Sequence, residues 1–191
     1  MTDEERAQHN KSEESIQAKV DEALIKANMN PHAPFDVVKM ADALGFSIRG
    51  LDSMPKNVLG TMILGVREDL RDMLGRQNLI VLNPSYDDEH LRFTIAHELG
   101  HFFMHTKDNL KYDDENGHFV FFQMEDDEAG IERDACKFAA MLLMDEQQFT
   151  DGYNELMNAG SSDVGAIRAL AAKFGVPQMA VKRRIAELKL A

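Results

Sequence analysis

The sequence has little cysteine, a minority of basic residues and no long apolar run, and each shortage excludes a class of protein. Cys136 is the one cysteine in 191 residues. The chain therefore forms no internal disulfide and lacks the paired Cys-x-x-Cys ligands of a structural zinc finger. Lysine and arginine number 21 against 33 aspartate and glutamate, for a formal charge of -12. The body of the protein is thus expected to repel nucleic acid and anionic membranes.

Signals for export, membrane insertion and nucleotide binding are also missing. No stretch approaches the roughly 18 apolar residues of a membrane span, and the acidic start MTDEERAQHNKSEES differs from the basic and then apolar pattern of a secretory signal. Together with the single cysteine, this predicts a cytoplasmic protein. The sequence contains no G-x-G-x-x-G, G-x-x-x-x-G-K or G-x-S-x-G motif.

Apolar residues nevertheless make up 44% of the chain, which is ample for the core of one domain with a small appendix. Their spacing is helical at 16–27 and 36–45, and it changes to short extended runs before helical spacing returns. The extended runs are 46–48, 61–64 and 79–82, and the later helices are predicted at 88–105, from 131 onward, and near the carboxyl end. This order predicts an α+β fold with helices packed on one short three-stranded sheet.

The strongest functional signal is the sequence H-E-x-x-H at 97–101, inside a predicted helix. Residues four apart lie one above the other on a helix, so His97 and His101 can reach a single metal ion. Glu98 can meet a water bound to that ion and take its proton, while the ion polarises a peptide carbonyl. The alternative is a pair of surface histidines, but the apolar neighbours indicate a buried helix, where unpartnered histidines are costly.

A catalytic zinc normally has three protein ligands, so a third ligand is expected elsewhere in the chain. The metzincin arrangement needs a histidine six residues after the second one, and it is excluded because Lys107 stands there. His105 lies on the same helix, where three ligands would spread over about 12 Å of axis, so we expect it in the core or behind the ligands. Glu132, at the start of the next buried helix pattern, is a better-placed candidate, whereas Asp134 points to another side.

Two segments resemble the ImmA/IrrE family of bacterial and phage metallopeptidases. The first is RFTIAHELGH at 92–101, and the second is E-x-x-A-x-x-F-A-A-x-L-L-M at 132–144. The paired motifs are more specific than H-E-x-x-H alone. The resemblance also covers the order of predicted elements from about residue 16 to residue 144.

The resemblance implies a compact gluzincin-like peptidase with zinc on His97, His101 and Glu132 and with Glu98 as the general base. Members of this family are known for cutting helix-turn-helix repressors of the phage type. The implied function is therefore a zinc-dependent endopeptidase whose substrate is a specific regulatory protein. Two imidazoles and a carboxylate also accept Mn²⁺, so the ligand types do not decide the metal.

Two positions depart from the family pattern. Cys136 stands where the family usually has Asn or Asp, a polar residue that orients a metal-bound histidine, and Asp145 stands where proline is common. Cys136 is expected either to be a small buried residue or to approach the metal and tune activity through oxidation or ligation. Residue type alone suggests Tyr112, His118 and Tyr153 as groups that stabilise the oxyanion.

The carboxyl end has the pattern of a helix, a turn at Gly175 and a second helix that packs back through Val181. From residue 166 onward six basic residues accompany a single acidic residue, Glu187, and this reversal of charge is typical of a DNA-binding element. We favour a packing or substrate-docking role, because a lone helix-turn-helix unit binds DNA weakly and the rest of the chain is acidic.

These observations predict a flexible N terminus at 1–15, a metallopeptidase domain at 16–158 and a helix-turn-helix-like segment at 159–191. The alternative function is a regulator that binds DNA or a repressor through its C-terminal helices without cutting it, with a structural metal site. The identity of the substrate, the scissile bond and the oligomeric state do not follow from the sequence.

Overall fold

The computed structural model describes residues 3–30, 35–65, 78–109 and 128–191, and these contain three strands and seven helices. The strands are β1 (Phe46–Gly50), β2 (Gly60–Ile63) and β3 (Asn78–Leu82). The helices are α1 (Asp3–Ala27), α2 (Val37–Ala43), α3 (Asp88–Asn109), α4 (Glu128–Leu143), α5 (Glu146–Asn158), α6 (Asp163–Phe174) and α7 (Gln178–Glu187). The predicted α+β class is confirmed.

The three strands form one mixed sheet in the order β1-β3-β2. β1 runs parallel to β3, with Phe46 opposite Asn78 and Gly50 opposite Leu82. β2 runs antiparallel to β3, with Gly60 opposite Leu82. β3 is the central strand, and its apolar run is buried as that position requires. β2 is therefore an edge strand within the part of the chain that the structure describes.

Helix α1 is longer than its apolar pattern predicts. The stripe begins at Ile16, which is fully buried together with Ala23. The helix itself begins at Asp3, inside the segment 1–15 that the sequence assigns to a flexible N terminus. The apolar stripe therefore marks the buried part of the helix and not its start, because a polar segment of good helix formers can extend a helix without such a stripe.

Local capping explains where two of the helices begin and end. The Asp36 carboxylate accepts hydrogen bonds from the backbone N–H groups of Val38 and Lys39, both at 3.1 Å, and starts α2. Gly45 follows that helix with φ +88°, a conformation that favours glycine. Asp87 plays the same part for α3, since its carboxylate accepts from the His90 backbone N–H at 2.9 Å. These caps agree with the helices that the sequence predicts at 36–45 and 88–105.

One buried cluster runs through the molecule, from Ile16 in α1 by way of Leu99 and Phe138 to Phe174 and Val181. Helices α6 and α7 therefore share the core of the rest of the chain. Gly175, with φ +61° and ψ +49°, turns the chain between them, as the helix-turn-helix pattern predicts. The division of the chain at 158/159 stays a prediction. Among the described helices, none has the length and apolar character needed to cross a membrane.

Candidate metal centre

Helix α3 carries two imidazoles one turn apart on one face. His97 Nε2 and His101 Nε2 lie 3.0 Å from each other, and the two side chains are 16% and 10% exposed. Ile95 and Leu99 on the same helix are buried in the core. The apolar side of α3 thus packs in the core, and the side that carries His97, Glu98 and His101 lines a cleft.

Helix α4 brings a carboxylate to the same point. Glu132 Oε2 lies 3.1 Å from His97 Nε2, and Glu132 Oε1 lies 3.1 Å from His101 Nε2. All three donor atoms lie within 4.8 Å of one another. The structure therefore assembles the three residues for which the sequence and the family resemblance predict metal binding.

The approach of the two helices depends on Gly100. A Cβ atom at this position would lie 3.0 Å from the Ala135 carbonyl oxygen, 3.1 Å from Ala135 Cα and 3.2 Å from Phe138 Cβ. Two of these atoms belong to the backbone, which cannot move aside as a side chain can. The glycine inside H-E-x-x-H therefore lets α4 come close enough for Glu132 to reach both imidazoles.

The donor set fits a divalent metal. Ligand atoms of a tetrahedral zinc at about 2.0–2.1 Å stand about 3.3 Å from each other, close to the 3.0–3.1 Å found here. Without a bound cation, burial opposes a charge on His97, but hydrogen bonds with Cys136 and Glu132 raise its pKa to about 10. Hydrogen bonds with His101 and His97 hold the pKa of Glu132 far below its usual value. In the metal-free protein, a proton on His97 therefore balances the negative charge of Glu132, as a bound cation would.

The sequence over residues 49–186 matches the family model of the M78 peptidases, described as the IrrE N-terminal-like domain. This segment is most of the chain and includes both metal-site helices. The chain belongs to this family. It is accordingly a metalloendopeptidase, and the resemblance to the ImmA/IrrE family is confirmed. A comparison with curated proteins finds no similar sequence.

Glu98, the glutamate of H-E-x-x-H, lines the same cleft as the three donors. Glu98 is only 9% exposed and lines the cleft together with His97 and His101. Burial raises the pKa of Glu98, while the charges of the two histidines and a backbone hydrogen bond with Met62 act in the opposite direction. The pKa of Glu98 is thus raised above its usual value, chiefly by burial.

The outer nitrogens of the two imidazoles have neighbours of their own. His105 Nδ1 lies 3.3 Å from His101 Nδ1, so His105 stands behind a predicted ligand, as the sequence analysis expects. Cys136 Sγ lies 3.5 Å from His97 Nδ1. The thiol is thus on the side of the ring that faces away from Glu132, where it can orient His97 but is not positioned as a fourth donor.

The cleft has a volume of about 730 Å³ and a second wall that the sequence does not reveal. Strand β2 and the residues just before it form that wall, from Asn57 to Met62. A Cβ atom at Gly60 would lie 2.6 Å from Thr94 Cγ2 and 3.0 Å from the Val81 carbonyl oxygen, so this glycine lets the strand lie against α3. In the sequence, this second wall is indicated only by Gly60, which stands directly before the apolar run at 61–64.

Several residues proposed from the sequence do not join the metal centre. Tyr153 is buried in the apolar core, and it is not among the residues that line the cleft, so the structure does not support it as an oxyanion group. Tyr112 and His118 lie outside the described residues. Asp134 forms an ion pair with Arg133 at 3.7 Å and does not belong to the cluster of donors, as the sequence analysis expects.

Proposed function

We propose that the chain is a zinc endopeptidase in which His97, His101 and Glu132 bind the metal and Glu98 is the general base. The observation that supports this most strongly is the convergence of three donor atoms from two helices within 4.8 Å, beside a buried carboxylate. A zinc ion bound there supplies Lewis acidity, which lowers the pKa of water and polarises a carbonyl. The same donors accept manganese, so the metal has to be identified by measurement.

The part of Glu98 is to accept and return a proton. Its carboxylate lines the same cleft as the donors, and burial raises its pKa above the usual value. A raised pKa makes the carboxylate a stronger base, which can take a proton from the attacking water and then deliver it to the leaving amine. The buried surroundings also keep bulk water from competing for that proton.

The shape of the cleft favours an extended peptide. β2 pairs with β3 along one edge, and among the described residues no strand pairs with its other edge. An exposed edge offers backbone N–H and C=O groups to a further strand. We propose that a substrate segment lies along residues 60–63 in this way, with its scissile bond over the three donors. A flexible linker of a protein meets this requirement, whereas the interior of a folded domain does not.

We further propose that the substrate is a helix-turn-helix repressor of the phage type in the cytoplasm. The support is the family membership together with a cleft that accepts a linker between two domains. A repressor consisting of a DNA-binding unit, a linker and a dimerisation unit loses its affinity for DNA when the linker is cut, because the two half-sites are no longer bound together.

The test measures metal content and cleavage in the same preparations. Wild-type protein is purified without added metal or chelator, and metal per chain is determined by mass spectrometry. We expect about one zinc per chain, lost in Glu132→Ala and retained in Glu98→Gln. Glu155→Gln, an exposed change on α5, is the matched control and should behave as wild type.

Wild type and the three variants are then incubated separately with two substrates. One is a candidate repressor encoded beside the gene of this protein, and the other is casein. Cleavage of the repressor alone, abolished in Glu98→Gln and Glu132→Ala, is the expected result. Digestion of casein would instead identify a general peptidase for unfolded chains. Full proteolysis by Glu98→Gln would refute Glu98 as the base. Absence of metal and failure to take up added zinc would favour a regulator that binds without cutting.

A further inference from the structure

A second cleft opens directly beside the metal centre. It has a volume of about 590 Å³ and lies between α3, α4 and α7. Phe93, Glu132 and Cys136 line both this cleft and the one that contains the donors. The two clefts are therefore adjacent, and a substrate that lies over the three donors can place a neighbouring segment in the second cleft.

Apolar groups form most of the surface of the second cleft. They come from three helices and one turn, and they are Phe93, Ala140, Pro177, Met179 and Ala180. Met179 is 58% exposed, so its side chain is accessible to a ligand in this cleft. Methionine is unbranched and adapts its shape to different apolar side chains. The surface thus suits a leucine, methionine or phenylalanine side chain more than a polar one.

The charges around this apolar surface are mainly positive. Arg133, Lys137 and Arg183 line the cleft, and Glu187 is the one acidic residue there besides the predicted ligand Glu132. Glu187 is already paired with Arg184 at 3.5 Å, and Lys137 lies 3.7 Å from Glu13. Arg183 is exposed and has no ion pair with any described residue. An acidic group next to the apolar side chain of a ligand would find its partner at Arg183.

We propose that the second cleft is a specificity subsite for the substrate, which binds a large apolar side chain with an acidic residue next to it. This inference rests on the proposed peptidase function. The second cleft has a fixed place relative to the three donors. It therefore selects a substrate residue that lies a fixed number of positions from the scissile bond. The C-terminal helix-turn-helix-like segment then acts in substrate selection, through Met179 and Arg183.

The experiment uses the full-length, zinc-loaded protein and a proteome-derived peptide library. Cleavage sites are read by mass spectrometry, and the binding-only variant Glu98→Gln is used to select peptides from the same library. Met179→Asp and Arg183→Glu alter the subsite. Val164→Asp and Lys182→Glu are matched controls, because Val164 is 64% exposed on α6, Lys182 is exposed on α7, and neither residue lines the donor cleft or the second cleft.

We expect cleaved peptides to be enriched in a large apolar residue at one offset, with aspartate or glutamate beside it. Met179→Asp should lower kcat/KM for such peptides about tenfold and leave peptides truncated before that offset unchanged. Arg183→Glu should remove the preference for an acidic neighbour. The two control variants should give the wild-type profile.

Failure of the inference and failure of the proposed function give different results. Cleavage without a preference at any offset, or with a preference that Met179→Asp and Arg183→Glu leave unchanged, would overturn the subsite alone. No cleavage by wild type, combined with selection by Glu98→Gln that the two subsite variants abolish, would overturn the peptidase function and keep the binding site. If the library is neither cleaved nor selected, both proposals are wrong.

Discussion

At the scale of single residues, a proton and a metal ion compete for the same atoms. Hydrogen bonds with Cys136 and Glu132 overcome the effect of burial and raise the pKa of His97 to about 10. A zinc ligand must be a neutral imidazole, so zinc has to displace that proton. Glu132 has no proton to release when zinc binds, because its pKa is held far below the usual value of a glutamate. The two shifts describe one ion pair seen from its two members.

We therefore predict that zinc binding between pH 7 and pH 9 releases about one proton from the protein. The apparent affinity should rise about tenfold per pH unit until the pH approaches the pKa of His97, about 10. Calorimetric titration in buffers of different ionisation enthalpy measures the proton directly. Glu132→Gln should reduce the release, because the partner that holds the proton on His97 is gone. Zinc binding with no proton released would contradict the prediction.

The same shifts determine how the stability of the metal-free chain varies with pH. The pKa of His97 is raised from 6.5, so its contribution is fully present below about pH 6.5 and is lost as the pH rises through about 10. The pKa of Glu132 is lowered, so its contribution is present above about pH 4.5 and is lost as the pH falls. The unfolding temperature of the metal-free wild type should therefore fall at both ends of this pH range. In Glu132→Gln the unfolding temperature should depend less on pH.

The neighbour of His97 Nδ1 leads to a second prediction for a single residue. A thiol is a weak acceptor, whereas the side-chain oxygen of asparagine is a strong one. Cys136→Asn should therefore raise zinc affinity, by up to about tenfold, whereas Cys136→Ala, which offers no acceptor to His97 Nδ1, should not raise it. Zinc competition against a chromophoric chelator measures both. An unchanged affinity in Cys136→Asn, together with an unchanged sensitivity to peroxide, would mean that Cys136 only fills space.

At the scale of elements, the three candidate metal ligands meet because α3 and α4 pack closely at Gly100. We predict that Gly100→Ala destabilises the protein and weakens zinc binding, because the new Cβ would stand 3.0 Å from the Ala135 carbonyl oxygen. Overpacking typically costs about 1–3 kcal/mol, more than the roughly 1 kcal/mol that alanine gains over glycine in a helix. Urea unfolding and zinc titration measure the two effects.

Gly152→Ala is the matched control for this change. Gly152 also lies inside a helix, but a Cβ there would meet side-chain atoms and no backbone: Lys173 Nζ at 3.0 Å, which is the end of a flexible side chain, and Leu170 Cδ2 at 3.3 Å. We expect this variant to be as stable as wild type or more stable, with unchanged zinc affinity. Equal effects of the two substitutions would indicate that the closeness of the backbones at Gly100 is not what positions Glu132.

At the scale of the whole molecule, the charge distribution opposes DNA binding by the C-terminal helices. The formal charge of the chain is -12. Asp87 and Glu89, at the start of α3, line a shallow cleft together with Arg168 and Gln178 of the helix-turn-helix-like segment. Arg184 is only 5% exposed, so it is not available to a phosphate backbone. The local excess of basic residues is thus partly balanced within the fold.

We predict that the protein binds a 20-base-pair duplex more weakly than about 10⁻⁴ M at physiological salt, the weak end of non-specific binding. Fluorescence anisotropy measures this, with Lys182→Ala/Arg183→Ala as the comparison. Tight binding that weakens with salt and disappears in the double variant would revive the DNA-binding alternative. Binding that the double variant leaves unchanged would place any DNA contact elsewhere.

The parts of this protein that the sequence predicts are those that depend on short-range physics. The helices predicted at 36–45 and 88–105 begin at caps on Asp36 and Asp87, which are hydrogen bonds to backbone groups at most three residues away. The spacing of His97 and His101 is decided by the pitch of one helix. The start of α1 at Asp3 is the opposite case, because a polar helical turn produces no apolar stripe for a pattern to detect.

The parts that only the tertiary structure decides require two elements to meet. The sequence indicates Glu132 by elimination and by resemblance, but its 3.1 Å distances depend on how closely α4 packs against α3 at Gly100. The wall formed by β2 and the position of Cys136 behind His97 likewise depend on packing between distant segments. The same holds for the second cleft, which joins residues from α3, α4 and α7. Periodicity and motifs describe neighbours along the chain, whereas these features arise from shape complementarity between faces that the sequence leaves unpaired.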